Sequence, residues 1–252
     1  MTIALVHGVP ETSAVWDFLA DKLVALGYDE PLRLSPPGFG APVPDGWAAT
    51  FGDYGAWLID ELENIGHPVD LVGHDWGGGH VLNVAMTRPH LIRTWASDIP
   101  GVLDEDYVWH DLAKQWQTPD QGEEVIAAMT AQPAEGRAAA LVSGGMHPAI
   151  ADRVALGIDG AMGACILRLY RSAAQPAMAE LGSRLGAAAV RPGLAILPTE
   201  DSYVGTDEQR RRAAARAGAR VEVLEGLGHW WMTEDPDRAG SVLSSFWSSA
   251  NG

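Results

Sequence analysis

The chain has 252 residues, room for one large domain or a core with an inserted lid but not for two ordinary enzyme domains. Hydrophobic residues make up 47% and charged residues 20%, the balance of a folded globular protein rather than of a disordered chain or a fibre. Lys and Arg number 17 against 33 Asp and Glu, and the formal net charge of -16 repels a polyanion, so nucleic acid is excluded as an expected partner. In chain order, the first apolar run, Ile3 to Val6, is far too short for a signal peptide or a membrane span, and the lone Cys165 has no partner for an internal disulfide. A cytoplasmic protein without membrane contact is expected. Strands are predicted at Thr2 to Val6, Pro31 to Leu34, Val69 to Val72, Thr94 to Asp98, Leu194 to Leu197 and Arg220 to Leu224. Stretches of helical spacing separate them, which is the pattern of parallel strands joined by helical crossovers. Most of these strands end in Gly, Pro, His or Asp, at the edge where an open α/β sheet places its ligands.

Between Pro100 and Pro192 the alternation stops, and the chain becomes Ala- and Met-rich with Gly or Pro breaks. This predicts a helical cap over residues 101–191, inserted between two parts of one core, 1–100 and 192–252. The five arginines from Gln209 to Arg220 are expected on a solvated helix face, although an anion-binding surface would use the same residues.

The strand Val69 to Val72 runs into Gly73-His74-Asp75-Trp76-Gly77-Gly78-Gly79 and then a helix. Glycines on either side of a central residue allow a turn so sharp that the central side chain projects above the sheet. Here that residue is Asp75, which could otherwise simply cap the helix. After the first strand, His7-Gly8-Val9-Pro10 offers the Val9 N–H, which with the N–H of Trp76 could form a two-donor hole for an oxyanion. Late in the chain, Asp201 follows one strand and Gly228-His229-Trp230 another, completing the order nucleophile, acid, histidine.

These motifs, with Pro37-Gly38-Phe39-Gly40, resemble those of the α/β-hydrolases, and among them the epoxide hydrolases and haloalkane dehalogenases, which share an aspartate nucleophile. The resemblance implies an α/β-hydrolase fold, a mostly parallel sheet with a helical cap. Asp201 is then the acid, with Glu200 next to it as a weaker substitute. Only six residues precede His7, where the family usually has a β-hairpin, so the sheet is expected to be shortened at its N-terminal edge, with homodimerisation through that edge as a hypothesis.

A carboxylate attacking an acyl carbon gives a reactive anhydride, whereas attack on a saturated carbon gives a stable alkyl ester, so the substrate should carry an electrophilic sp3 carbon. His229 would then activate the water that hydrolyses the ester. Opening an epoxide leaves an alkoxide that benefits from a proton donor, and Leu169-Tyr170-Arg171 resembles the Tyr-Arg motif of epoxide hydrolase caps, with Tyr170 as ring-opening acid. The family's second cap tyrosine has no clear counterpart. Tyr107 could serve, or an indole N–H of Trp109 or Trp116. Trp230 and Phe39 complete the expected substrate-binding set, His74 and His147 are given structural roles, and no metal or cofactor is implied. The expected function is hydrolysis of a hydrophobic, aromatic or polycyclic epoxide, with a haloalkane dehalogenase as the alternative and a non-catalytic binding protein of the same fold as a second one.

Overall fold

The computed structural model describes residues 1–250. Its centre is a six-stranded sheet in the order β2-β1-β3-β4-β5-β6, parallel throughout. The strands are β1 (Ile3–Val6), β2 (Leu32–Leu34), β3 (Val69–Gly73), β4 (Ile92–Ser97), β5 (Gly193–Pro198) and β6 (Ala219–Leu224), so each of the predicted strands is present within a few residues of its expected bounds. Every residue of β1, β3 and β5 is buried, which is why these strands read as continuous apolar runs rather than as alternating ones. The exception inside β3, Asp70, is held by Arg93 and Thr94 of the neighbouring strand. The edge strand β2 is only three residues long, and its Arg33 pairs with Asp17 and Glu30.

Core helices α1 (Asp17–Ala25), α2 (Phe51–Ile65) and α3 (Trp76–Thr87) lie between the first four strands in sequence. α2 starts with a reciprocal cap, Thr50 and Asp53 each satisfying the other's backbone N–H. Between β4 and β5 come α4 (Asp111–Gln117), α5 (Gln121–Ala131), α6 (Ala134–Ser143), α7 (Pro148–Gly157), α8 (Gly160–Ser172) and α9 (Ala177–Gly182), the helical insertion. Its flanking 3-10 turns, Pro100–Leu103 and Leu185–Val190, pack on core helices, and the Trp95 indole of β4 donates to Ala188 O at 3.2 Å. After β5 follow α10 (Asp207–Arg216), α11 (Trp231–Glu234) and α12 (Pro236–Ala250), the last packed on α1. Among the described residues, no helix is long and apolar enough to cross a membrane.

Arg211 and Arg216 of helix α10 are exposed, as a solvated face requires, yet three of its four arginines also bond the rest of the fold. Arg210 is buried and donates to Pro198 O, Arg216 donates to Gly182 O, and the Arg212 guanidinium forks onto Asp104 at 2.8 and 2.6 Å. These bonds fasten both ends of the insertion to the core. Partners far apart in sequence convert an apparently free basic run into a structural clamp.

Strand register assembles the site. Val6 is level with Gly73 and Gly73 with Ser97, so the residues that follow, His7-Gly8-Val9, His74-Asp75 and Asp98, emerge side by side at one edge of the sheet. Pro198 is level with Leu224, which brings the loops carrying Asp201 and His229 to the same edge.

Candidate active site

Asp75 stands at the N-terminus of α3 with φ 49° and ψ -129°, a strained backbone for a non-glycine residue. The turn closes so tightly that a Cβ at Gly77 would overlap the Val6 carbonyl, and one at Gly8 would overlap the Asp75 carboxylate. The side chain makes no cap bond to its own helix. Instead Oδ1 accepts the Val9 N–H at 2.9 Å, and the backbone N–H of Asp75 donates to Asp98 Oδ1 at 3.0 Å. Trp76 is the first residue of the helix, where backbone N–H groups have no intrahelical acceptor. The helix-cap alternative for Asp75 therefore fails, and the Val9 N–H, one of the two donors expected for the hole, lies at its carboxylate.

His229 Nε2 is 3.9 Å from Asp75 Oδ2, and His229 Nδ1 bonds Asp201 Oδ2 at 2.9 Å. A proton on Nδ1, donated to Asp201, leaves the Nε2 lone pair facing the nucleophile. Asp201 is itself held by the Tyr203 N–H at 2.9 Å. Glu200 is exposed and accepts from Thr199, so of the two neighbouring carboxylates it is Asp201 that bonds the imidazole. Burial pushes the Asp75 carboxyl up to about 6, against the pull of His229 and His74. Burial alone would lower His229, but the Asp201 carboxylate outweighs it and the imidazole ends above its ordinary value.

Beneath this triad lies a charged layer that sequence reasoning missed. His74 is fully buried, with Nδ1 2.5 Å from Asp98 Oδ2 and Nε2 3.0 Å from Glu11 Oε1. Glu11 also accepts the Gly8 N–H at 3.1 Å and the Trp230 indole at 2.5 Å, while the Trp231 indole donates to Asp98 at 2.8 Å. Burial opposes every charge here, yet the carboxylates raise His74 well above its ordinary pKa, and His74 brings Glu11 down to about 2. The unit is an imidazolium between two carboxylates. The structural role expected of His74 thus includes a charged contact with the site above, because its ring lies 4.6 Å from that of His229. Asp98 closes a strand at the ligand edge, a signal the sequence did carry. Glu11, His74 and His229 present ligand atoms within 4.8 Å of one another, but Glu11 and His74 are bonded to each other and His229 Nδ1 is held by Asp201.

Above Asp75 the cap encloses a cavity of about 80 Å3, lined by Val9, His110, Trp116, Tyr170, Tyr203, His229 and Trp230 among others. A small annex of about 10 Å3 adds Trp76, Tyr107 and Trp109. Tyr170 sits on the buried face of α8, its ring within 5.5 Å of those of Trp76, Trp109 and Trp116. Arg171 turns outward to Glu123, so the two residues of the Tyr-Arg motif have separate duties. The Tyr107 hydroxyl donates to Tyr203 O at 2.7 Å. The indole nitrogens of Trp109 and Trp116 are buried without a hydrogen-bond partner. Phe39 is the exception among the expected binding residues: it lines neither space and packs on Tyr54, with ring centres 5.7 Å apart. His147 is exposed and caps α7. A larger groove of about 460 Å3 around Phe51, Asn83 and Arg184 holds none of the triad.

Comparison with solved structures gives matches across nearly the whole chain. Haloalkane dehalogenase DbeA from Bradyrhizobium elkani USDA94 superposes with a TM-score of 0.71 at 19% identity, covering 99% of this chain and 90% of that one. A hydrolase from Pseudomonas aeruginosa PA01 gives 0.71 at 22% identity, covering 98% and 89%, and a thermophilic esterase from Thermogutta terrifontis gives 0.72 at 17%, covering 100% and 91%. At these identities the likeness speaks for the fold. Comparison with curated proteins finds no match. The profile described as the alpha/beta hydrolase family matches residues 3–239, and with the aspartate elbow, the histidine and the acid in place, the chain belongs to that family.

Proposed function

We propose that the protein is a hydrolase acting at a saturated carbon that carries a halide, through an alkyl ester on Asp75. The observation that carries this reading is the kind of donor around the carboxylate. Trp109 and Trp116 offer indole N–H groups without partners, and an indole N–H stabilises an anion without giving up its proton. The Tyr107 hydroxyl is committed to Tyr203 O. Burial and the Asp75 charge hold the Tyr170 hydroxyl well above its ordinary pKa, which makes it a reluctant acid. Halide departure needs hydrogen bonds and no proton. The intact triad argues against a binding protein without catalysis.

Size and charge narrow the substrate. A cavity of roughly 150 Å3 is what holds a benzene ring, so the space of about 80 Å3 suits a chain of a few carbons rather than the polycyclic epoxide expected from sequence. Neither Lys nor Arg lines it or its annex, which favours an uncharged molecule. Epoxide hydrolysis stands as a second reading because Tyr170 and Asp75 line the same cavity. Halide release from short bromo- and chloroalkanes, against diol formation from short epoxides, separates the two. Tyr170→Phe should lower epoxide opening by about 10²-fold or more, the ordinary worth of a general acid, and leave halide release within a few-fold. Equal losses on both substrates would remove the distinction.

Alkylation requires the carboxylate form of Asp75, so the single-turnover rate should fall as pH is lowered through about 6. Hydrolysis of the ester requires neutral His229, whose raised pKa places the acid limb of steady-state turnover higher than an ordinary imidazole would. Stopped-flow and steady-state pH profiles check both limbs. A single-turnover rate flat down to pH 4 would exclude Asp75 as the titrating nucleophile.

A further inference from the structure

We infer that His110 is a fixed N–H donor in the active-site cavity that hydrogen-bonds the departing halide, an inference that rests on the dehalogenation reading above. His110 precedes α4, and its Nδ1 accepts the Ala113 N–H at 3.3 Å. A ring nitrogen that accepts carries no proton, so the neutral imidazole bears its hydrogen on Nε2. Among the described residues Nε2 has no protein partner. The ring lines both the cavity over Asp75 and its annex, and it meets the Tyr203 ring edge-on at 5.1 Å. Tyr203 in turn meets His229 at 5.0 Å, which places the three rings in one row along the cavity wall. Burial, reinforced by the neighbouring His229, brings the His110 pKa down to about 4 against the pull of Asp201 and Asp111, so the ring stays neutral when the enzyme works. The helix cap therefore has a chemical consequence: it fixes which ring nitrogen carries the proton.

In the reacting complex, the Asp75 carboxylate oxygen forms a bond to the saturated carbon while the carbon–halogen bond breaks, and the halide leaves with the bonding pair. His110 Nε2–H hydrogen-bonds the halide and keeps its proton. Water later gives one proton to His229 and its hydroxide to the Asp75 carboxyl carbon, the released alkoxide takes that proton from His229 to leave as the alcohol, and the acid left on Asp75 gives up the second proton to solvent, where it balances the halide.

Two variants separate this role from capping. His110→Ser keeps a side chain that caps α4 well but is too short to reach the cavity, whereas His110→Phe keeps the ring bulk and loses both bonds. The experiment titrates wild type and both variants with chloride, bromide and iodide, following tryptophan fluorescence, after circular dichroism has shown that each is folded. Loss of one hydrogen bond to a charged group corresponds to about 10- to 100-fold, so the chloride Kd should rise by about that factor in both variants, with bromide and then iodide affected less. Halide affinities unchanged in either folded variant, or weakened equally for the three ions, overturn the inference. Alkyl-enzyme formation on Asp75 in a His229→Gln background tests the parent reading separately, because halide binding is read without any turnover.

Discussion

Under the alkyl-ester mechanism proposed above, replacing His229 with glutamine should stop the enzyme after half a turnover and leave an ester on Asp75. The first step needs only the carboxylate, aligned by the Val9 N–H at 2.9 Å, whereas the second needs a base at Nε2, 3.9 Å from Oδ2. Loss of a general base is worth about 10² to 10⁴-fold, so steady-state halide release should fall by at least that much while a stoichiometric burst remains. Intact-protein mass spectrometry of the variant after incubation with a short bromoalkane should show the added alkyl group, and peptide mapping should place it on Asp75. His229 also helps to keep Asp75 ionised, so the experiment belongs near pH 8, where the carboxylate persists without it. A variant that neither bursts nor gains mass would remove the covalent mechanism. One that turns over normally would remove His229 from it.

Glu11→Gln should cost more stability than any surface change in the molecule. Glu11 and Asp98 together hold His74 as a buried cation, and taking away one partner of a buried pair typically costs about 3–5 kcal/mol. For a chain of this length that corresponds to a fall in Tm of roughly 10 °C. The pH dependence carries a sign. Glu11 lies at about 2 in the fold, so its contribution is complete above the ordinary carboxylate value of 4.5 and is lost as pH falls through about 2. His74 is raised well above its ordinary 6.5, so its contribution is complete below 6.5 and is lost as pH rises through the raised value. The wild type should therefore gain most from this network between pH 4.5 and 6.5, and the difference in Tm from Glu11→Gln should be largest there and shrink toward pH 2. A constant difference across that range would mean that the carboxylate matters for its shape and not its charge.

Much of the fold was legible because the sheet is buried on both faces: strands such as Ile3–Val6 and Val69–Gly73 leave uninterrupted apolar runs in the sequence. The elbow was legible from its glycines, the pairing of Asp201 with His229 from their order after two late strands, and Tyr170 from its resemblance to the Tyr-Arg cap motif. What escaped notice depends on contacts across long separations. His74 meets Glu11 across 63 positions and Asp98 across 24, and no local pattern announces which buried charges will neutralise one another. The partners of the α10 arginines went unseen for the same reason, since Asp104 lies 108 positions away from Arg212. Phe39 was misplaced because an irregular loop has no periodicity to say where a ring points. His110 belongs to no motif in the sequence, and only the Ala113 N–H fixes its tautomer.

The geometry at Asp75 sets two demands of the same chain against each other. Its left-handed φ of 49° is a conformation that asparagine and glycine adopt more readily, and its buried charge is disfavoured on the order of 3 kcal/mol relative to an exposed carboxylate. Asparagine at this position would relieve the charge. A chain tuned for stability alone would therefore have no use for the carboxylate, which is held there against both its charge and its backbone.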